Sequence, residues 1–170
     1  QYSGIESIEL GDDLQSIASA AFRFIDNPLH VKIGGASLES IGDSAFNGYE
    51  DQWHKWECGL RSLEINDTSK LTTIGSNAFN RCSGLKSPLY FPALTTVASG
   101  TFQYSGIESI ELGDDLQSIA FAAFRFINHP LYVKIGGASL ESIGNNAFDG
   151  YLNSNWRNCG LRSLEINDTS

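Results

Sequence analysis

The 170-residue chain carries 20 acidic against 11 basic residues, a formal charge of -9, and its pI is near 4.6. Such a surface repels both the phosphate backbone of nucleic acids and anionic membranes, while 41% hydrophobic residues supply a packed core rather than a disordered tail. No apolar run reaches the roughly 18 residues that cross a bilayer, which speaks against direct membrane insertion; the chain starts at Gln1, lacks Met and stops inside a repeat at Ser170, so it reads as an excerpt or a processed piece.

In chain order, two kinds of segment alternate. Ile5, Ile8 and Leu10 open a short apolar alternation, followed by LQSIASAAF at 14 to 22. Val31 and Ile33 come next, then IGDSAF at 41 to 46, and an insertion, YEDQWHKWEC, at 49 to 58. Leu60, Leu63 and Ile65 lead to IGSNAF at 74 to 79, and Leu89 and Phe91 to VASGTF at 97 to 102. Ile107, Ile110 and Leu112 precede IAFAAF at 119 to 124, and Val133 and Ile135 precede IGNNAF at 143 to 148. A second insertion, YLNSNWRNC at 151 to 159, leads to Leu161, Leu164 and Ile166.

The period-two runs predict short strands. The hexapeptides, with Leu14, Ile17, Ala21 and Phe22 at spacings of three and four, suit an extended turn followed by a short helical turn. Phe fills the corner, and the Gly or Ala after Ile leaves room where backbones come close.

Residues 1 to 48 recur at 103 to 150, differing only at positions 19, 26, 27, 30, 43, 44 and 47, and GLRSLEINDTS occurs at both 59 to 69 and 160 to 170. Successive hexapeptide Phe residues lie 24, 33, 23, 22 and 24 positions apart, so one coil takes about 23 residues and the chain holds about seven. The expected organisation is a single repeat array over 1-170, with a duplicated block at 1-102 and 103-170 and loop insertions at 49-58 and 151-159. A strand this short cannot bury its apolar face alone; stacking coil on coil would pair the strands in parallel over one continuous core.

The unit resembles the BspA-like, or treponemal-type, leucine-rich repeats of bacterial and some protozoan surfaces, L-x-x-I-x-L, a turn, then V-x-x-I-G-x-x-A-F-x-x-C. The match is closest in LRSLEINDTSKLTTIGSNAFNRC, residues 60 to 82. The resemblance implies a leucine-rich-repeat solenoid with a parallel β-sheet on one face and short strands or helical turns on the other. It further implies an extracellular or cell-surface location, adhesion to a host-matrix or cell-surface protein or to a glycan, and no cofactor. The post-Phe Cys stands in its family position only at Cys82, and the insertions lie outside the plain unit.

Outward strand positions form a predicted stripe: Glu9, Lys32, Glu64, Tyr90, Glu111, Lys134 and Glu165. It can recognise a partner, or merely form weak cross-strand ion pairs. A neighbouring row contributes His30 and Tyr132 among serines. The insertions hold Trp53, Trp56 and Trp156, opened by Tyr49 and Tyr151. Indoles on loops of a rigid scaffold suit a recognition site; the alternative is that they fold back over the coil flank.

Cys58 and Cys82 come within disulfide reach if adjacent coils hold them alike, or are small buried residues at the coil corner; with Cys159 the thiols number three and cannot all pair internally. No spacing of Cys and His suggests zinc, and GDDL at 11 to 14 and 113 to 116 reads as turn chemistry rather than a calcium loop. NDT at Asn66 and Asn167 fits a glycosylation sequon. A nucleophile needs a base, yet His30 becomes Tyr132 in the second copy and His129 replaces Asn27. A non-enzymatic binding module is therefore expected, with a ligand-free structural spacer as the alternative; coils without capping repeats would also allow end-to-end self-association.

Overall fold

The structure, a computed structural model, describes residues 4–25, 27–50, 56–153, 156–158 and 160–167. In chain order the strands are β1 (Ser7–Leu10), β2 (Ser16–Ile17), β3 (Leu29–Ile33), β4 (Ser40–Ile41), β5 (Tyr49–Glu50), β6 (Trp56–Glu57), β7 (Leu60–Ile65), β8 (Thr73–Ile74) and β9 (Leu89–Phe91). They continue with β10 (Thr96–Val97), β11 (Ser109–Leu112), β12 (Ser118–Ile119), β13 (Leu131–Ile135), β14 (Ser142–Ile143), β15 (Tyr151–Asn153), β16 (Trp156–Asn158) and β17 (Leu161–Ile166). The longer strands form one wall, as β1-β3-β7 and β9-β11-β13-β17, and the two-residue strands β2, β4, β8, β10, β12 and β14 form the facing wall. All pairing within these walls is parallel, so the chain is a two-walled solenoid of stacked coils, as expected.

Each strand of the first wall turns its apolar residues inward. In β3, Leu29, Val31 and Ile33 are buried while His30 and Lys32 are exposed. The hexapeptides supply the other side of the core through a stack of rings. Phe22, Phe46, Phe79, Phe102, Phe124 and Phe148 follow one another at 5.0, 5.4, 5.4, 5.3 and 5.1 Å, with planes within 12° of parallel. Their backbones are tied in the same direction: Phe46 N–H donates to Ala78 O at 2.8 Å and Phe102 N–H to Ala123 O at 2.8 Å. The small residue before each Phe is thus required twice, as acceptor and as space for the ring above. Ala45, Ala78 and Ala123 are fully buried, whereas Ala21, in the first described coil, is exposed.

Of the two forms expected on the second face, the short strands are present and the helical turn is not confirmed: no helix occurs among the described residues. The fourth residue of every hexapeptide has positive φ, at Ala20, Ser44, Asn77, Gly100, Ala122 and Asn146, between 55° and 65°. A residue in the left-handed region ends a right-handed turn after one step, so the chain reverses toward the next strand instead of winding on. Close approach explains the Gly two places earlier: a Cβ on Gly42 would meet Ser19 N at 2.5 Å.

The first wall is interrupted between β7 and β9, and two prolines account for it. Successive residues of a strand point their N–H and C=O groups toward opposite neighbours. Gly113 N–H donates to Phe91 O, which turns Leu89 and Phe91 toward β11 and leaves residues 88, 90 and 92 facing β7. Pro88 and Pro92 have no N–H, so only Tyr90 can donate. The crossing is made instead by Leu63 N–H donating to Ser87 Oγ at 3.3 Å. Uninterrupted pairing of the first wall is therefore not realised, although the core behind it is continuous and β8 still pairs with β10.

At the same junction Cys58 and Cys82 form a disulfide, with Cα atoms 4.6 Å apart and a sequence separation of 24. Cys58 precedes the glycine that enters β7, and Cys82 follows the ring of the same coil. The bond closes one complete coil on itself, and both residues are buried.

Candidate functional site

Parallel register sets the outward residues in a row. Glu9, Lys32 and Glu64 align across β1, β3 and β7, and Tyr90, Glu111, Lys134 and Glu165 across β9, β11, β13 and β17. All are exposed except Glu111, which is half-buried. The predicted stripe is thus brought together as two segments, parted at Glu64 and Tyr90 by the sheet break. Within each segment charges pair: Lys32 Nζ lies 3.3 Å from Glu9 Oε1, and Lys134 Nζ 2.7 Å from Glu111 Oε1. The hydrogen bond to Glu111 and its charge hold the Lys134 ammonium above its ordinary value of 10.5.

The neighbouring row places Ser7, His30 and Ser62 side by side, and Ser109, Tyr132 and Ser163 likewise. Tyr90 and Tyr132 are 55% and 54% exposed, far more than a packed ring requires. They flank Ser109 and Glu111 around a shallow trough of about 370 Å³. The corresponding trough between Ser7 and Glu64 is smaller, about 280 Å³, with His30 in place of the tyrosine. His30 Nδ1 and Ser62 Oγ are 2.8 Å apart, a nucleophile-to-base distance. No carboxylate among the described residues bonds the imidazole to orient it, and Tyr132 with Ser163 replaces the pair in the second copy.

The described residues of the insertions pair as short antiparallel ribbons. In the first, Tyr49 is opposite Glu57 and Glu50 opposite Trp56; in the second, Tyr151 faces Asn158 and Asn153 faces Trp156. Trp53 lies outside the described residues. Asn66, the first sequon asparagine, donates its side-chain N–H to Gly34 O at 3.0 Å.

Sequence reasoning missed the groove at the sheet break, about 640 Å³ between β7 and β9. The Pro-x-x-x-Pro spacing of residues 88 and 92 was the available signal, since it removes two donors from one edge of a strand. Ser69 holds Asp67, at the groove's rim, below its ordinary 3.8 through hydrogen bonds from its hydroxyl and its backbone N–H. No cluster of metal ligands occurs among the described residues, and no helix there is long and apolar enough to cross a membrane.

The repeated parallel strand, inward Phe and left-handed turn define a leucine-rich-repeat protein. A family model described as a BspA type leucine rich repeat region matches in 6 copies, over residues 1–124 and 50–169, and the chain belongs to that family. Among solved structures, a leucine rich cell surface protein from Faecalibacterium prausnitzii is similar, with a TM-score of 0.58 and 20% identity. The match covers 95% of this chain and 48% of that one, so the chain spans about half the length of that protein. No curated protein matches.

Proposed function

We propose that the chain is a non-enzymatic, extracellular recognition module displayed at a cell surface, binding a protein or glycan partner. The observation that carries this reading is the alignment of Glu9, Lys32 and Glu64, and of Tyr90, Glu111, Lys134 and Glu165, on a wall whose backbone is fixed by its neighbours. A rigid, side-chain-bearing wall with two half-exposed tyrosines suits recognition of a large partner. Membership in a repeat family and likeness to a protein described as lying at a cell surface support the location. Trp53, Trp56 and Trp156, with Tyr49 and Tyr151, are proposed as aromatic anchors on the two insertions, within a single array of residues 1-170 built from blocks 1-102 and 103-170. No cofactor enters this reading.

The test is a binding screen of the chain against extracellular-matrix proteins and glycans, beside a variant with all three Trp replaced by Ala. A partner lost in a folded variant supports anchoring by the insertions; retained binding removes them from the site and leaves the wall. A second reading, a spacer that displays another domain, is favoured by the internal pairing of Lys32 with Glu9 and of Lys134 with Glu111, which leaves less charge for a partner. Blue-shifted Trp emission together with an empty screen supports the spacer; emission quenched readily by acrylamide counts against it.

A further inference from the structure

We propose that the groove at the sheet break is a docking slot for an extended, positively charged peptide segment. The inference deepens the recognition reading by naming a site and a partner chemistry, and does not depend on the tryptophans. Its first support is the backbone. Asn66 N–H donates back to Ile33 O while Leu63 N–H points forward to Ser87, so the same alternation turns Ile65 N–H and C=O forward, across the break. From the other side, Tyr90 N–H and C=O face back. No backbone hydrogen bond joins β7 to β9 among the described residues. Both edges therefore carry the donors and acceptors by which an added strand is held.

The second support is charge. Glu64 and Asp67 line the groove, and no Lys, Arg or His does. Neither carboxylate has a basic group within 4 Å among the described residues, whereas the equivalent Glu9 and Glu111 are each paired. Hydrogen bonds from Ser69 favour the charged form of Asp67, and the -9 chain draws cations toward it at long range. Leu63, Ile65, Leu89 and Phe91 add apolar floor. The open edge from Leu63 to Asp67 matches about four or five residues of extended chain, at about 3.3 Å each. An acidic peptide would meet two carboxylates that no ion pair holds, with only the more distant charge of Lys70 acting on Asp67, and a glycan would leave the strand-like alternation of backbone groups unused.

The same prolines supply the control. Residues 88 and 92 align with Ser109 and Gly113 of the next coil, which pairs on both edges. Pro88→Ser with Pro92→Gly gives β9 the donors it lacks and should close the ladder onto β7. Glu64→Gln removes one charge from an exposed position without touching the core.

Fluorescence anisotropy on the full chain, with labelled peptides about six residues long that alternate valine with lysine, threonine or glutamate, tests the proposal. The lysine peptide should bind at least ~10-fold more tightly than the threonine peptide and weaken ~10-fold or more as salt rises severalfold, with no measurable binding of the glutamate peptide. Glu64→Gln should weaken the lysine peptide ~3-fold or more, and the double proline variant should abolish binding while its melting temperature holds or rises. Equal binding of the three peptides, no binding of the lysine peptide, or affinity untouched by Glu64→Gln overturns it. If the proline variant does not fold, Glu64→Gln and the salt series decide. The triple Trp variant separates the two readings: loss of a macromolecular partner with the lysine peptide still bound leaves the slot standing, while lysine-peptide binding beside an empty screen sinks only the broader reading.

Discussion

The rings of Phe79 and Phe102 lie 5.4 Å apart and 5° from parallel, at the coil junction where the opposite wall has lost its ladder. Both rings are fully buried, so the facing core there is held by side-chain stacking and by Phe79 N–H donating to Thr101 O at 2.9 Å. Phe102→Ala should destabilise the array by about 3–5 kcal/mol, while Phe22→Ala, at a half-buried terminal ring, should cost clearly less. Urea melts of the two variants compare them; equal losses would mean that the stack does not distribute stability along its length.

The disulfide closes a loop with a sequence separation of 24. Chain-entropy arithmetic for such a loop gives about 3–4 kcal/mol of stabilisation. Mild reduction, or Cys58→Ser with Cys82→Ser, should lower the denaturant midpoint accordingly. Peptide mapping without reduction should recover residues 58 and 82 in one cross-linked species. A midpoint indifferent to reductant would refute the staple.

Two groups give a signed pH dependence. Lys134 is raised above 10.5, mainly by its hydrogen bond to Glu111, so its contribution is complete below pH 10.5 and is lost as pH rises through the folded value. Asp67 is lowered below 3.8 by Ser69, so its contribution is present above pH 3.8 and disappears as pH falls through the folded value. Melting temperatures should separate wild type from Glu111→Gln at neutral pH and converge in strong alkali. Ser69→Ala should show its deficit at neutral pH and lose it in acid. A constant gap across pH would contradict either assignment.

Gly100 has φ of +65°, and Ala20 sits at the same hexapeptide position with φ of +58° and its side chain exposed. Gly100→Ala should cost about 1–2 kcal/mol, and Ala20→Gly should stabilise by up to about 1 kcal/mol. Thermal melts that rank the pair in the opposite order would remove backbone strain as the reason for the turn.

The terminal coils show apolar residues that inner copies hide. Ile5 is 64% exposed against 0% for its counterpart Ile107, and Ile143 44% against 0% for Ile41. The isolated 170-residue chain should therefore associate as concentration rises. Light scattering consistent with a strict monomer to millimolar concentration would exclude end-to-end stacking.

How much of this was legible in the sequence follows from which signals are periodic. Val31 and Ile33 announce their strand because a period of two has one buried solution, and the recurrent Phe marks its own stack. The helical turn stays unconfirmed because Leu14, Ile17, Ala21 and Phe22 have spacings that a helical turn and a left-handed reversal both satisfy; only the backbone angle at Ala20 separates them. The register of Glu9 with Lys32 was readable, since identical coils stack in phase. The division of the stripe was not, because Pro88 and Pro92 act through the direction of absent N–H groups, and that direction is known only once Gly113 is seen bonded to Phe91. The ribbons at Trp56 and Trp156 escaped for want of an alternating apolar pattern, and Trp53 lies outside the described residues.

Tension gives the Cys58–Cys82 bond a further meaning. Drawn out by its ends, a solenoid peels coil after coil, each releasing its length as the ladder to its neighbour parts. The coil between these cysteines cannot do so, because its two ends are one covalent point. Its separation of 24 residues corresponds to about 80 Å of extended chain, a length withheld from stretching until the bond is reduced. The weakest seam of the first wall is thus bordered by a coil that force alone cannot unravel, and a reducing agent should appear in a single-molecule pulling trace as about 80 Å of added contour.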